Sequence, residues 1–226
     1  MFVIGDEEKG DELLALRPMT CPFQFMIYKA EHHSYRDLPI RYTETSPLFR
    51  NEASGEMHGL IRLRQFTLAD AHIICTPEQV SQEFKDVMKL LDYIMTALGI
   101  NEDFTYRFSK WDPGNKEKYI DNPQAWETSQ AMMKEILDEI GIEYVEADDE
   151  AAFYGPKLDF QFKDAIGREW QLGTAQLDFQ MPDRFDLEYT DKDGEKKTPV
   201  MIHRAVAGSL ERFMALAIEH FAGAFP

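Results

Sequence analysis

The 226 residues of the chain suffice for one substantial domain, and we predict a single domain over residues 1–226. Hydrophobic residues make up 44% and charged residues 29% of the chain, which excludes a disordered or fibrous protein. The formal net charge of −17 excludes a protein that holds nucleic acid on a broad basic face. With only two cysteines there is no disulfide framework, so any metal site must collect ligands from distant parts of the chain.

Membrane insertion and secretion are also excluded by the sequence pattern. No apolar run reaches the roughly 18 residues of a membrane-spanning helix. The N-terminal segment becomes acidic from Asp6 onward, before the apolar core of a signal peptide is complete. We therefore predict a cytoplasmic protein with no membrane partner.

Three amphipathic helices are predicted, each bounded by start and stop signals. They cover residues 80–99, 122–141 and 209–223. The first follows Thr76-Pro77-Glu78-Gln79, in which Thr76 and Gln79 complete a capping box. All three end at a glycine, the residue that most often terminates a helix.

Eight extended segments are predicted as strands. They cover residues 40–49, 57–66, 71–75, 104–108, 158–162, 168–179, 185–189 and 196–202. Asp193-Gly194 predicts a tight hairpin turn, and the alternation of Leu158, Phe160 and Phe162 with polar residues predicts a half-buried strand. Since neighbouring strands mostly lack an intervening helix, we predict an α+β fold, an antiparallel sheet with helices on one side.

An arginine cluster without lysine lies between residues 36 and 74, at Arg36, Arg41, Arg50, Arg62 and Arg64. The guanidinium fork suits phosphate and carboxylate groups, so the cluster is typical of a polyphosphate site. The alternative is surface pairing with the nearby acids Glu31, Asp37, Glu44, Glu52 and Glu56. Composition leaves both interpretations open. Arg62 and Arg64 are two residues apart in a predicted strand, so we expect them on one face.

Two further segments carry polar or small residues where a structural role alone would favour apolar ones. Arg212 falls in the first turn of the third helix, where a cation opposes the helix dipole unless an anion binds nearby. The alternative is an ion pair with Glu211 or another carboxylate. Residues 171–176 place Gln, Gly, Thr and Ala in a strand, which indicates either the floor of a polar pocket or a β-bulge.

Taken in order, seven segments resemble the signature blocks of threonyl-tRNA synthetases, a class II aminoacyl-tRNA synthetase family. They are LRPMTCP at 16–22, SYRDLP at 34–39, FRNEASG at 49–55, RQFT with DAH at 64–72, FYGPK at 153–157, QLDF at 176–179 and HRAVAGSLER at 203–212. The resemblance implies the class II catalytic fold, an antiparallel β-sheet flanked by helices. Residues 49–55 resemble class II motif 2, and residues 208–212 resemble motif 3.

The resemblance implies an ATP site formed by Arg50, Glu52, Arg62, Phe66, Gln171 and Arg212. Arg50 then holds the α-phosphate and the amino acid carboxylate, and Phe66 stacks on the adenine ring. Glu52 contacts the adenine amino group. Arg212 binds the outer phosphates or the adenine, Arg62 joins the triphosphate clamp, and Mg²⁺ accompanies the ATP. Arg50 and Arg212 are the implied catalytic residues.

A zinc site is implied at Cys21, His72 and His203, because the family holds one ion with one cysteine and two histidines. Three protein ligands leave an open position for substrate. Threonine can offer its amino group and hydroxyl, whereas valine lacks the hydroxyl. The implied contacts to L-threonine are Met19, Asp70, Tyr154 and Gln176, with Asp70 accepting the hydrogen bond of the hydroxyl.

The implied reaction activates L-threonine with ATP to threonyl-adenylate and then transfers it to tRNA(Thr). Members of the family are homodimers through a motif 1 that precedes the region where this chain begins, so the dimer is left open. Two departures affect the pocket: Leu68 replaces a common polar residue, and Phe23-Gln24 replaces a common Gly-His pair. The alternatives are a threonine-adenylating paralogue that does not act on tRNA and a non-catalytic zinc-binding regulatory module.

Overall fold

A seven-stranded β-sheet forms the centre of the computed structural model, which describes residues 1–100 and 104–225. Its strands are β3 (Ile40–Phe49), β4 (Gln65–Cys75), β5 (Phe104–Ser109), β6 (Tyr144–Ala147), β7 (Lys157–Lys163), β8 (Glu169–Asp178) and β11 (Val200–Ala205). They are ordered β3-β4-β11-β8-β7-β5-β6 in space. Only the β5–β6 pair is parallel among these neighbours, so the predicted antiparallel α+β fold is confirmed.

Two short antiparallel hairpins accompany the main sheet. One pairs β1 (Val3–Ile4) with β2 (Leu14–Ala15), and the other pairs β9 (Tyr189–Thr190) with β10 (Lys196–Lys197). The second hairpin contains Asp193-Gly194, where Gly194 has a φ of 85°. A glycine adopts this left-handed conformation without steric cost, so the predicted turn is confirmed.

Within the described residues, five α-helices accompany the sheet: α1 (Cys21–Lys29), α2 (Val80–Ala97), α3 (Pro123–Ile140), α4 (Met181–Arg184) and α5 (Leu210–His220). The three predicted helices correspond to α2, α3 and α5 and are confirmed. The capping box before α2 is present, because the backbone N–H of Thr76 donates to Gln79 Oε1 at 2.9 Å. None of the helices in the described ranges is long and apolar enough to cross a membrane.

The two faces of the sheet carry different side chains, because successive residues of a strand point in opposite directions. Ile73 of β4 and Ile202 of β11 pack in the large apolar core with α2 and α3. Their neighbours Ile74 and Met201 pack on the opposite face against Phe25 of α1. The expectation of helices on one side only is therefore wrong, since α1 covers part of the second face.

Three predicted strands differ from the structure. Residues 57–64 form a loop with an isolated bridge between His58 and Arg62, so Arg62 and Arg64 do not lie on a strand. Residues 185–188 follow the short helix α4, and only Tyr189 is extended in a strand. The segment 196–202 is divided at Pro199, which has no N–H group for a strand ladder.

The strand β7 is buried on both faces, which corrects the half-buried prediction. Asp159 is fully buried together with its apolar neighbours Leu158 and Phe160. Its carboxylate accepts hydrogen bonds from Ser109 at 2.8 Å and from Gln171 at 2.7 Å, and it pairs with Lys157 at 3.0 Å. Burial of the charge is therefore compensated by several partners.

The turn between β7 and β8 is stabilised by Asp164, and we expect the stability contributed by its charge to depend on pH. Burial opposes ionisation, but hydrogen bonds from Trp170 and Arg168 outweigh it and lower the pKa of Asp164. Because the folded-state pKa lies below the ordinary value of about 3.9, this stability is present above that pH and is lost as the pH falls. Asp164→Asn should lower the melting temperature at pH 7, and the difference from the unchanged protein should shrink below about pH 4. A difference in melting temperature between the two proteins that is the same at pH 7 and below about pH 4 would contradict this role.

Candidate active site and metal centre

A cavity of about 510 Å³ lies on the face of the sheet opposite α2 and α3. Three neighbouring strands supply its floor, because His203 of β11 is paired with His72 of β4 on one side and with Gln176 of β8 on the other. These residues are far apart in sequence, and the antiparallel register places them in one row. The start of α1 and the N-terminus of α5 also border the cavity.

Close approach of two chain segments beside the cavity requires glycine. A Cβ atom on Gly208 would lie 1.9 Å from the carbonyl oxygen of Leu172, and its φ is 59°. A Cβ atom on Gly173 would lie 2.4 Å from the carbonyl oxygen of Ala205. The absence of these side chains lets the segment before α5 approach β8, which brings Arg212 to the cavity.

Residues 171–176 form both the β-bulge and the pocket floor that were considered as alternatives. The register between β7 and β8 shifts by one residue, since Phe160 is opposite Gly173 but Gln161 is opposite Gln171. This is a β-bulge with Leu172 as the additional residue. Gln171 and Gln176 also line the cavity. The bulge is thus part of the pocket floor.

The structure brings Cys21, His72 and His203 together at one end of the cavity. One potential ligand atom from each lies within 4.8 Å of the others. Both histidines are buried, at 1% and 5% exposed. Cys75 lies in the core on the opposite face of β4, so it is not part of this group. Two imidazoles and a thiol are ligands typical of zinc.

Each histidine of this group has one ring nitrogen engaged by a buried side chain. His72 Nδ1 lies 2.7 Å from Gln24 Oε1, and His203 Nε2 lies 2.8 Å from Asp178 Oδ2. Burial and the neighbouring His203 lower the pKa of His72 well below its ordinary value. Burial alone would lower the pKa of His203 as well, but its hydrogen bonds to Asp178 and Cys21 raise it to about 9.

Asp178 is itself held in place by the start of α4. Its Oδ1 accepts the backbone N–H groups of Gln180 at 2.9 Å and Met181 at 2.8 Å, while Oδ2 faces His203. A carboxylate fixed in this way orients the imidazole it contacts. The sequence gives no local sign of this role, because Asp178 ends a strand 25 residues before His203.

Polar side chains border the Cys-His-His group. Asp70 accepts hydrogen bonds from the Thr20 hydroxyl and from the N–H of Ala71. Burial raises the pKa of Asp70 despite these bonds. The Tyr154 hydroxyl donates to Gln176 Oε1, and its ring centroid lies 4.6 Å from that of His203. Met19 lies at the cavity as well and is partly exposed.

Positive charge collects at the other end of the cavity. The Arg50 guanidinium lies 5.1 Å from the centroid of the Phe66 ring, and Arg50 Nε donates to the carbonyl of Pro18. Arg212 donates to the carbonyls of Ile61 and Gln171 at 2.9 and 2.7 Å. Burial, followed by repulsion from Arg62 and Arg50, lowers the pKa of Arg212. An anion in the cavity would therefore relieve unfavourable charge.

The alternative interpretation, in which Arg212 forms an ion pair with Glu211, is wrong. Glu211 instead accepts the backbone N–H of Thr67 at 2.8 Å. Within the described part of the chain, neither Arg50 nor Arg212 forms an ion pair with a carboxylate. Both guanidinium groups therefore retain charge that a ligand could neutralise.

The arginines between residues 36 and 74 divide between the two interpretations. Arg36 contacts the Tyr35 hydroxyl and Arg41 pairs with Glu83, and neither residue lines the cavity. Arg62 lines the cavity and pairs with Glu52 at 2.8 Å, while Arg64 donates to the carbonyl of Glu52. Surface pairing therefore explains part of the cluster, and the cavity explains the rest.

Comparison with known proteins identifies the family. The model for the tRNA synthetase class II core domain (G, H, P, S and T) matches residues 2–221. The threonine–tRNA ligases of Clostridium botulinum (strain Eklund 17B / Type B) and Gloeobacter violaceus are 65% and 50% identical over 226 residues. These matches cover all of this chain but 35% and 36% of the two ligases, so the chain spans about a third of their length.

Solved structures agree in fold. The RNA binding domain of threonyl-tRNA synthetase from Cryptosporidium parvum Iowa II superposes with a TM-score of 0.90 at 39% identity, covering 100% of this chain and 55% of that one. The putative threonyl-tRNA synthetase from Aeropyrum pernix gives 0.83 at 34% identity, covering 100% and 51%. The predicted resemblance to threonyl-tRNA synthetases and the class II fold are confirmed, and the chain belongs to the class II tRNA synthetase core-domain family.

Proposed function

We propose that this chain is the catalytic core of a cytoplasmic threonine–tRNA ligase, which activates L-threonine with ATP and transfers it to tRNA(Thr). One observation carries the proposal. A single cavity has the Cys21-His72-His203 group with Asp70 at one end and the Arg50-Arg212 pair at the other. The first end suits an amino acid with a hydroxyl, and the second suits a triphosphate.

The arginine end supports the binding and positioning of ATP with its Mg²⁺. The Phe66 ring beneath Arg50 offers an aromatic surface for adenine, and Glu52 and Gln171 supply polar groups nearby. Arg62 and Arg212 are placed to neutralise the outer phosphates. An oxygen of the threonine carboxylate attacks the α-phosphorus, and the bond to the β-phosphate oxygen breaks to release pyrophosphate. Arg50 stabilises the negative charge at the α-phosphate during this displacement.

The residues at the other end fit a zinc ion. Cys21, His72 and His203 would hold it, because one potential ligand atom from each lies within 4.8 Å of the others and a thiol with two imidazoles is a donor set typical of zinc. When bound, zinc supplies Lewis-acid coordination for the amino and hydroxyl groups of threonine. Asp70 accepts the hydrogen bond of the hydroxyl, and Tyr154 and Gln176 orient the amino group. Valine leaves these polar groups unsatisfied, so it is rejected.

The test is ATP–pyrophosphate exchange by the 226-residue chain with threonine, serine and valine, before and after zinc removal by a chelator. We expect exchange with threonine, weaker exchange with serine because it keeps the hydroxyl, and none with valine. Zinc removal should abolish the threonine signal. Charging of tRNA(Thr) in addition to exchange would exclude the adenylating paralogue, and a folded, zinc-loaded chain without exchange would contradict the proposed activity of this chain.

A further inference from the structure

Gln24 is a buried polar residue of α1 beside the Cys21-His72-His203 group. It lies three residues after Cys21 in α1, so both side chains point from the same side of the helix. Gln24 is 2% exposed, and its neighbour Phe25 packs in the apolar cluster beneath α1. Burial of an amide is unfavourable unless it is hydrogen-bonded, so the contact it makes explains its presence.

That contact is made with one of the potential metal ligands. Gln24 Oε1 lies 2.7 Å from His72 Nδ1. An amide oxygen only accepts hydrogen bonds, so with Oε1 facing the ring the proton lies on Nδ1. In a neutral imidazole with a proton on Nδ1, the lone pair lies on Nε2. The hydrogen bond therefore leaves the lone pair of His72 Nε2 free to coordinate a metal.

Without an acceptor at this position, both tautomers of His72 would be available. The tautomer with a proton on Nε2 has no lone pair on that nitrogen and cannot coordinate a metal through it. The carboxylate of Asp178 fixes the tautomer of the other histidine in the same way, because it contacts His203 Nε2 at 2.8 Å. The two outer contacts thus differ in charge, and each engages one ring nitrogen and leaves the other free.

We propose that Gln24 is a positioning residue that fixes the tautomer and ring orientation of His72 for metal binding. The inference rests on the zinc site of the proposed function. It assigns to the neutral amide of Gln24 a role in metal affinity rather than in the chemical step.

Three variants in α1 test the role. Gln24→Met has a similar size but cannot accept the hydrogen bond, whereas Gln24→Glu retains an acceptor. Met26→Leu changes an exposed side chain of the same helix, at 58% exposure, and serves as the control. We expect zinc affinity, measured by competition with a chromophoric chelator, to fall about 10–100-fold in Gln24→Met and to stay within about threefold in the other two.

A second readout does not depend on metal or activity. Long-range ¹H–¹⁵N NMR correlation of the metal-free protein reports which His72 nitrogen is protonated. We expect the Nδ1–H form in the unchanged chain and a mixture in Gln24→Met. If Gln24→Met does not fold, the spectrum of the unchanged chain decides, because an Nε2–H form there overturns the inference.

The outcomes separate this inference from the proposed function. Equal zinc affinity in the unchanged chain and in folded Gln24→Met overturns the role of Gln24 and leaves the zinc site intact. A chain that binds no zinc at all overturns the zinc site and, with it, this inference. Selective loss of affinity in Gln24→Met, with affinity retained in Gln24→Glu, supports both.

Discussion

Arg50→Gln is expected to reduce kcat/KM for threonine-dependent ATP–pyrophosphate exchange by about 10²–10³-fold. The guanidinium of Arg50 lies above Phe66 at the arginine end of the cavity and forms no ion pair among the described residues. Its charge is therefore available to the α-phosphate, and the variant loses that stabilisation. Glutamine is an uncharged polar side chain that can still form hydrogen bonds, so the protein should fold normally.

Arg36→Gln is the matched control for this change. Arg36 is exposed, contacts the Tyr35 hydroxyl at 3.1 Å and does not line the cavity. Exchange by this variant should stay within about twofold of the unchanged chain, since surface substitutions have small effects. If Arg50→Gln is as active as Arg36→Gln, then Arg50 does not stabilise the reacting phosphate. Arg50→Lys should recover only part of the activity, because lysine keeps the charge but lacks the planar fork.

Cys21→Ala is expected to remove the bound zinc and threonine-dependent exchange together. Removal of one of three ligands should weaken zinc binding by more than the roughly 10–100-fold typical of outer contacts. The two histidines alone would then hold the ion too weakly for it to select threonine. Metal content after gel filtration, measured by mass spectrometry, and exchange with each amino acid check the result.

Cys75→Ala tests whether loss of zinc and exchange is specific to Cys21 or follows from the removal of either cysteine. Cys75 is fully buried in the core with α2, on the face of β4 away from the cavity. The variant should lose some thermal stability through the small cavity it creates, but it should retain zinc and exchange. Zinc loss in both cysteine variants would show that Cys21 is not a specific ligand.

The sequence by itself determined the elements whose signals are local. The capping box at Thr76 and Gln79 starts α2, and Gly141 ends α3 with a φ of 77°. The turn at Asp193-Gly194 needs only a residue that tolerates positive φ. The seven signature blocks together were sufficient to predict the family, because they follow one another in the same order and at compatible spacing along the chain.

The sequence was less informative where the decisive contacts are distant. The helix α1 was missed because its nine residues give no clear helical period. The loop at 57–64 was assigned as a strand because its apolar residues resemble one. Asp159 was expected at a solvent-facing position, and only its burial in the tertiary structure, together with that of Leu158 and Phe160, shows that both faces of β7 are covered.

The arrangement of the site was decided by the tertiary structure. Family resemblance selected Cys21 over Cys75, and the sheet supplies the physical reason, since Cys75 points into the helix-covered core while His72 faces the cavity. The outer contacts of Gln24 with His72 and of Asp178 with His203 join residues 48 and 25 positions apart. Composition and periodicity depend on the neighbours of a residue along the chain. The tertiary structure, and within the sheet the antiparallel register, determines its neighbours in space. Such spatial neighbours orient His72 and His203.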